Sequence, residues 1–186
     1  MERLVKLEKI CHHFHLSLQS GSTKTLERMN RKYTTVEFEE IVNRLRRVYK
    51  DVILTTDIIV GFPGETTEEF AETEEFLTKI KFYKMHVFKY SPRKGTKAAD
   101  MPNQIDGNIK EQRSKILIDL SDKNEEEYNR EYIGRDVEVL FEEKENNYYK
   151  GHTKNYIMVK YETKENLENL LKNVKIKEAK KDHLIA

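Results

Sequence analysis

The sequence predicts an α/β protein in which three parallel βα units precede a small antiparallel β-barrel. Three blocks each run an apolar, β-rich stretch into a loop rich in Gly, Ser or Pro: Cys11–Ser22, Ile53–Thr66 and Met85–Thr96. After Ile133 the apolar residues alternate with polar ones instead, which is typical of half-buried strands. About five short strands in this tail indicate a barrel of the oligonucleotide-binding shape. We therefore place a domain boundary between residues 132 and 133.

The first two units begin with strands of different character. His13–Leu18 alternates polar and apolar residues, whereas Ile53–Val60 is nearly all apolar, as a strand buried on both faces is. After the first strand, a short helix over Thr23–Met29 is predicted, with Ser22 as its N-cap.

Capping boxes predict the starts of two longer helices, because a Thr is followed three residues later by Glu at Thr34 and again at Thr66. The third strand is predicted from Tyr83 to Tyr90. A long, charged helix follows, from Ile109 to about residue 131.

Composition excludes several classes of protein. There are 34 Lys and Arg against 33 Asp and Glu, so the net charge of +1 gives no long-range attraction for nucleic acid, and any RNA contact must come from local clusters. The single cysteine, Cys11, excludes a disulfide framework. No segment resembles a signal peptide or a membrane span, so we expect a cytoplasmic protein without membrane contact.

Small-residue loops at parallel strand ends predict a binding face, because free backbone N–H groups collect there. Gln19, Ser20 and Ser22 follow the first strand, where they can bind a ribose or a carboxylate. The turn after Val60 is either a tight βα turn or a weak phosphate cradle, since it lacks the Walker lysine. Asp57 is the strongest indication of a ligand, because a carboxylate inside an apolar strand is costly to bury unless it binds something.

Other polar residues have a possible structural role as well as a functional one. Arg93 and Lys94 form either a solvated basic loop or part of the binding face. His12, His13 and His15 are not predicted to bind metal, because consecutive strand residues point to opposite faces and no carboxylate or thiol has ligand spacing. We therefore predict no metal ligands in this sequence.

Four blocks, in this order and spacing, resemble the methylthiotransferase family of radical S-adenosylmethionine (SAM) enzymes. They are HLSLQSGS (15–22), Leu26–Thr34, Thr55–Phe70 and Met85–Pro102. The resemblance covers Cys11 to Asp136, and the tail is similar to the family's TRAM domain, a small β-barrel that holds RNA. It implies that residues 1–132 form the second half of a radical SAM partial (β/α)6 barrel with a connecting helix, and that residues 133–186 form the TRAM-like barrel.

The resemblance also implies the cofactors of the parent enzyme, which are SAM and 4Fe–4S clusters. The family's Cys-x-x-x-Cys-x-x-Cys motif is missing here, so we expect this chain to be an engineered fragment or a truncated gene product, without catalytic residues of its own. It should be inactive alone, with no cofactor bound. Its partners would be the tRNA anticodon stem-loop and the missing N-terminal half, and its exposed barrel edge favours self-association.

We expect the ligand-binding side chains to be those that converge on one face at the three strand ends. For SAM we predict Gln19, Ser20, Asp57, Gly61, Glu65, Phe88 and Tyr90. For RNA we predict Arg31, Arg93, Lys94, Lys150, Lys154 and Tyr149. Basic and aromatic residues interleave along the tail, and such a surface binds RNA because aromatic rings stack on its bases while lysines neutralise its phosphates. The alternative for the tail is that its tyrosines belong to the core and its lysines merely solvate the barrel.

The histidine-flanked first block and the MHVFKYSPRKGT block most resemble the branch of the family that methylthiolates C2 of N6-threonylcarbamoyladenosine beside the anticodon. The alternatives are the branch that acts on isopentenyladenosine and a catalytically inactive RNA-binding remnant. An unrelated phosphate-binding (β/α) barrel enzyme is disfavoured, because no acid–base pair or nucleophile is evident at the strand ends.

Overall fold

The computed structural model describes residue 7 and residues 9–186. Two compact units are present. One consists of His15–Arg47 and Leu54–Ser121, and the other of Val48–Ile53, Asp122–Ala186 and the described residues before His15. The division falls within the long helix, whereas the predicted boundary follows that helix and stays a prediction.

A three-stranded sheet organises the α/β part, as predicted. Its strands are β1 (His13–His15), β2 (Ile53–Val60) and β3 (Lys84–Lys89), in the order β1-β2-β3, and β2 and β3 are parallel. The predicted first strand is too long, because pairing is interrupted after β1. The N–H of Leu16 donates to the carbonyl of Thr55, and the N–H of Gln19 donates to the carbonyl of Asp57. Three residues of the first segment therefore advance as far as two residues of β2, and regular pairing is lost.

Three helices pack against this sheet. They are α1 (Thr23–Arg28), α2 (Thr35–Val48) and α3 (Thr67–Ile80). Ser22 occupies the N-cap position of α1, as predicted, but its side chain makes no capping hydrogen bond, because its hydroxyl donates to Glu72 Oε2 over 2.6 Å.

Both capping boxes are confirmed. The hydroxyl of Thr34 accepts from the N–H of Glu37, and Glu37 Oε2 accepts from the N–H of Thr34 over 2.8 Å. Thr66 and Glu69 form the same reciprocal pair at the start of α3. Each box satisfies two backbone donors that a helix start leaves without intrahelical partners.

A short 3₁₀ helix (Lys97–Asp100) precedes the long helix α4 (Gly107–Arg130). The fully buried side chains of the first unit lie between the sheet and the helices and include Leu18, Leu26, Ile58, Leu77, Phe82 and Leu117. Among the described residues, no helix combines the length and the apolar composition needed to cross a membrane.

The tail forms a six-stranded sheet in the order β7-β4-β5-β6-β9-β8. The strands are β4 (Asp136–Glu145), β5 (Tyr148–Thr153), β6 (Met158–Glu162), β7 (Leu170–Lys175), β8 (Glu178–Ala179) and β9 (Leu184–Ile185). The prediction of a wholly antiparallel tail is wrong at one pair, because β6 and β9 run parallel. The strand β9 is only two residues long, too short to produce an alternating pattern in the sequence.

The strands β4 and β5 form an antiparallel hairpin, with Asn146 in the left-handed region at φ 55°. Along β4, Val139 and Phe141 are fully buried while Leu140 is exposed. Gly151 on β5 is required by close packing, since a Cβ there would lie 2.1 Å from the carbonyl oxygen of Leu140.

Candidate functional site

A cavity of about 540 Å³ opens at the carboxyl ends of β2 and β3. This volume lies within the range of roughly 300–1,000 Å³ that is usual for small-molecule pockets. Its walls come from all three segments that the sequence predicts to converge: Gln19 and Asp57 with Ile59, then Phe88, Lys89, Tyr90, Ser91, Arg93, Thr96 and Ala98.

Gln19 is held at the cavity wall by its backbone. Its N–H donates to the carbonyl of Asp57 over 2.8 Å, and its carbonyl accepts from Ile59 over 2.9 Å. Its φ of 75° is a left-handed conformation that costs a residue other than glycine about 1–3 kcal/mol. The structure therefore maintains a strained backbone at the point where this side chain meets the cavity.

Asp57 is half-buried, with 28% of its side chain exposed, rather than buried within the strand. His15 Nε2 lies 3.0 Å from Asp57 Oδ2, and the hydroxyl of Ser17 donates to the same oxygen over 3.2 Å. Among the described residues, Asp57 Oδ1 has no hydrogen-bond partner. The carboxylate is thus fixed by two protein donors and retains one oxygen for a ligand.

Tyr90 lines the cavity with its ring edge against Phe62, the centroids being 5.2 Å apart. Lys110 Nζ donates to the carbonyl of Tyr90 over 3.1 Å and so fixes the start of the loop after β3. The hydroxyl of Tyr90 is buried and has no partner among the described residues. A buried hydroxyl without a partner is costly, and because this oxygen is enclosed it is not among the groups that the cavity presents to a ligand.

Of the residues predicted for SAM, Gln19, Asp57, Phe88 and Tyr90 line the cavity. Three others do not. The hydroxyl of Ser20, which is 1% exposed, lies 3.3 Å from Thr73 Oγ1.

Gly61 and Glu65 form a structural turn. Gly61 has φ 71°, and a Cβ there would lie 2.3 Å from Lys110 Cγ. Glu65 accepts from the N–H of Gly61 over 3.0 Å and from Arg113 over 2.7 Å. Burial raises the pKa of Glu65 above its ordinary 4.5, and it does so more strongly than these donors lower it. The Glu65 carboxylate is thus occupied inside the protein, and the part of this turn in framing the cofactor stays a prediction.

The residues predicted for RNA are dispersed. Arg93 is exposed at the cavity wall, whereas Arg31 and Lys94 are exposed outside it. In the second unit, Tyr149 is only 4% exposed and its hydroxyl donates to Asn166, so its ring is part of the core and is not available for base stacking.

Lys150 is also unsuited to an open phosphate contact, because its Nζ lies 2.7 Å from Glu145 Oε2 and 3.7 Å from Glu143 Oε1. Lys154, in contrast, is exposed, and neighbouring Tyr156 is 55% exposed with its ring stacked on His152 at 4.5 Å. Residues 154 and 156 therefore form an exposed basic and aromatic pair in this unit.

The sequence reasoning missed the roles of His15 and Ser17. The signal was available, because His15 and Ser17 alternate along the first segment as Thr55 and Asp57 do along β2. Alternating residues on adjacent strands share a face.

An iron–sulfur cluster does not fit the residues of this chain. Such a cluster needs three or four thiolates, and the sequence has one cysteine. Within residues 9–186 no group of three or more His, Cys, Asp or Glu side chains could hold a metal ion. The cavity does fit SAM, since its volume and the free Asp57 oxygen match a ligand with several polar groups.

Comparison with known proteins agrees with the motifs. Residues 1–77 match the radical SAM superfamily. The chain is 42% identical to the threonylcarbamoyladenosine tRNA methylthiotransferase MtaB of Bacillus subtilis, over 96% of this chain and 41% of that protein. It is 46% identical to a probable threonylcarbamoyladenosine tRNA methylthiotransferase of Methanocaldococcus jannaschii, over 93% and 39%. It is 43% identical to a tRNA-2-methylthio-N(6)-dimethylallyladenosine synthase of Thermoanaerobacter sp., over 94% and 38%.

The chain thus spans about two fifths of the length of the curated relatives it matches. Relatives named for two different adenosine substrates match it with comparable identity, so similarity alone does not separate the two. Over nearly its whole length, this chain is similar to one part of the radical SAM tRNA methylthiotransferases, the family that its motifs predict.

Proposed function

We propose that this chain is the segment of a tRNA methylthiotransferase that supplies one wall of the SAM site and a surface for tRNA. The observation that carries the proposal is the cavity at the strand ends, where Gln19 and Asp57 present polar groups that the protein leaves available. The names of the similar relatives support the same activity.

Each cavity residue has a distinct part in this proposal. The Asp57 carboxylate and the Gln19 amide bind polar groups of SAM, while Phe88 and the backbone near Tyr90 frame its adenosine. Bound SAM supplies the methyl group and the adenosyl group with which radical chemistry starts. Arg93, exposed at the cavity wall, selects the modified adenosine of the tRNA.

We propose further that the chain alone is inactive and binds SAM weakly. The single cysteine provides no cluster to chelate the amino-acid part of SAM. Residues beyond this chain, in the part of the relatives that it does not cover, would complete the site.

N6-threonylcarbamoyladenosine is the proposed substrate, on the strength of the histidine-flanked motifs, and isopentenyladenosine is the alternative. A chimera tests both. This chain replaces the matching segment of MtaB in a Bacillus subtilis strain that lacks its own copy, and tRNA nucleosides are measured by mass spectrometry. Recovery of 2-methylthio-N6-threonylcarbamoyladenosine supports the proposal. In a strain that also lacks its own enzyme for isopentenyladenosine, a 2-methylthio group found on isopentenyladenosine alone favours the alternative.

An RNA-binding protein without catalysis is the second candidate. It is favoured by the exposed Lys154 and Tyr156 in the second unit. If the chimera forms neither nucleoside while the purified chain still binds a tRNA anticodon stem-loop in an anisotropy titration, this second function replaces the first.

A further inference from the structure

A chain of hydrogen bonds connects β1 and β2 beside the cavity. His15 Nδ1 lies 3.0 Å from Thr55 Oγ1, and His15 Nε2 lies 3.0 Å from Asp57 Oδ2. The hydroxyl of Ser17 is also within 3.2 Å of Asp57 Oδ2. The imidazole is therefore bonded through both of its nitrogens, and only one of its partners belongs to the cavity wall.

The chemistry of these partners determines which nitrogen of His15 carries a hydrogen. An ionised carboxylate only accepts hydrogen bonds, so Nε2 of His15 must carry the hydrogen that is donated to Asp57. In the neutral imidazole Nδ1 then accepts from the hydroxyl of Thr55. Both donors to Asp57 use the same oxygen, and this prevents the carboxylate from rotating.

Oδ1 is left as the free oxygen of a restrained carboxylate at the wall of the cavity. The cationic side chains at that wall do not compete for it in the structure: Lys89 Nζ bonds to Glu111 over 2.5 Å, and Arg93 makes no ion pair among the described residues. The neighbouring His86 meets His15 only through a ring contact of 5.9 Å.

We infer that His15 is a positioning residue, which holds Asp57 so that Oδ1 accepts a hydrogen bond from an ammonium or hydroxyl group of the ligand in the cavity. The inference rests on the proposed function, because it takes that ligand to be SAM. A restrained carboxylate binds more tightly than a free one, since less conformational freedom is lost when the ligand arrives.

The test is a titration of the full chain with SAM, followed by ¹H–¹⁵N NMR, to about 10 mM so that millimolar binding is measured. His15→Phe keeps an aromatic ring but removes the donor, and should weaken binding about tenfold, as loss of a hydrogen bond to a charged group does. His15→Gln restores an N–H donor and should bind within about threefold of the unmodified chain. His183→Gln is the matched control, because His183 also bonds to an aspartate, Asp182, but lies outside the cavity, and it should change nothing.

Two further measurements separate the possible failures. If Asp57→Asn weakens SAM binding but His15→Phe does not, the positioning role is wrong and the proposed SAM site stands. If the unmodified chain shows no SAM-dependent shift, the proposed site fails and the inference fails with it. Should His15→Phe not fold, the imidazole ¹⁵N spectrum of the unmodified chain decides, because an Nε2 that carries no hydrogen at neutral pH cannot donate to Asp57 and overturns the inference.

Discussion

Arg113 on α4 donates to Glu65 Oε1 over 2.7 Å, and the two side chains are only 9% and 4% exposed. The same guanidinium donates to the backbone carbonyl of Glu65 over 3.2 Å. Since Glu65 also accepts from Gly61, the long helix is bonded to the turn that closes β2. This pair explains how a glutamate at a strand end takes a structural part here, with both of its carboxylate oxygens bonded inside the protein.

Removing one partner of this buried pair should be strongly destabilising. Arg113→Met leaves the Glu65 carboxylate uncompensated and should lower the free energy of unfolding by about 3 kcal/mol. The double variant Glu65→Gln with Arg113→Met should lose clearly less, because no buried charge remains. Urea unfolding measures both, with Lys115→Met as a control at the exposed pair with Asp119, where no change is expected. Equal losses in the single and double variants would contradict the prediction.

The lowered pKa of Glu69 predicts how the stability of the chain changes with pH. The hydrogen bond from Arg28 holds the pKa of Glu69 below its ordinary value of 4.5. A lowered folded-state pKa gives stability that is fully present above 4.5 and is lost as the pH falls through the folded-state value. Glu69→Gln should therefore cost about 2 kcal/mol at pH 7, and the difference from the unmodified chain should shrink below pH 4.5.

Urea midpoints across that pH range give the measurement. Glu74→Gln, at an exposed position of the same helix, is the matched control. A difference between Glu69→Gln and the unmodified chain that persisted at acid pH would contradict the assignment.

The unpartnered hydroxyl of Tyr90 separates ligand binding from stability. Tyr90→Phe removes a buried polar atom that has no partner among the described residues, so thermal stability should stay the same or rise. Binding of SAM should change by less than about twofold, since the enclosed hydroxyl does not reach the cavity. Tyr49→Phe is a close control, because the hydroxyl of Tyr49 is also buried and unpartnered among those residues but lies outside the cavity wall. A loss of SAM affinity of about fivefold or more in Tyr90→Phe alone would contradict this prediction and add the hydroxyl to the site.

Substitutions of Lys154 and of Lys150 should differ in their effect on tRNA binding. Lys154→Gln should weaken binding of an anticodon stem-loop and lower the slope of log K against log salt by about one unit for each phosphate that the lysine had neutralised. Lys150→Gln should leave that slope unchanged, because Lys150 is already paired with Glu145 and Glu143. Anisotropy titrations over a range of salt concentrations measure the slope. The same slope in both variants would place the RNA-binding surface elsewhere.

The sequence by itself determined most of the elements and the resemblance to a family. The apolar run of β2, its adjoining turn and the two capping boxes depend on local rules, and each has the predicted residues at its ends, as Thr34 and Thr66 illustrate. The order of the first sheet follows from the βα repeats, and the four motif blocks carry the resemblance that the relatives confirm.

Only the tertiary structure decided which polar side chains remain available. Glu65 and Asp57 are both carboxylates near strand ends, yet one is neutralised by Arg113 from a helix 48 positions away in sequence and the other faces the cavity. Likewise, Tyr149 and Tyr156 look alike in the sequence, but only the second is exposed. Local propensity determines where strands and helices begin, whereas the availability of a side chain depends on partners that are distant in the sequence and come into contact only after packing.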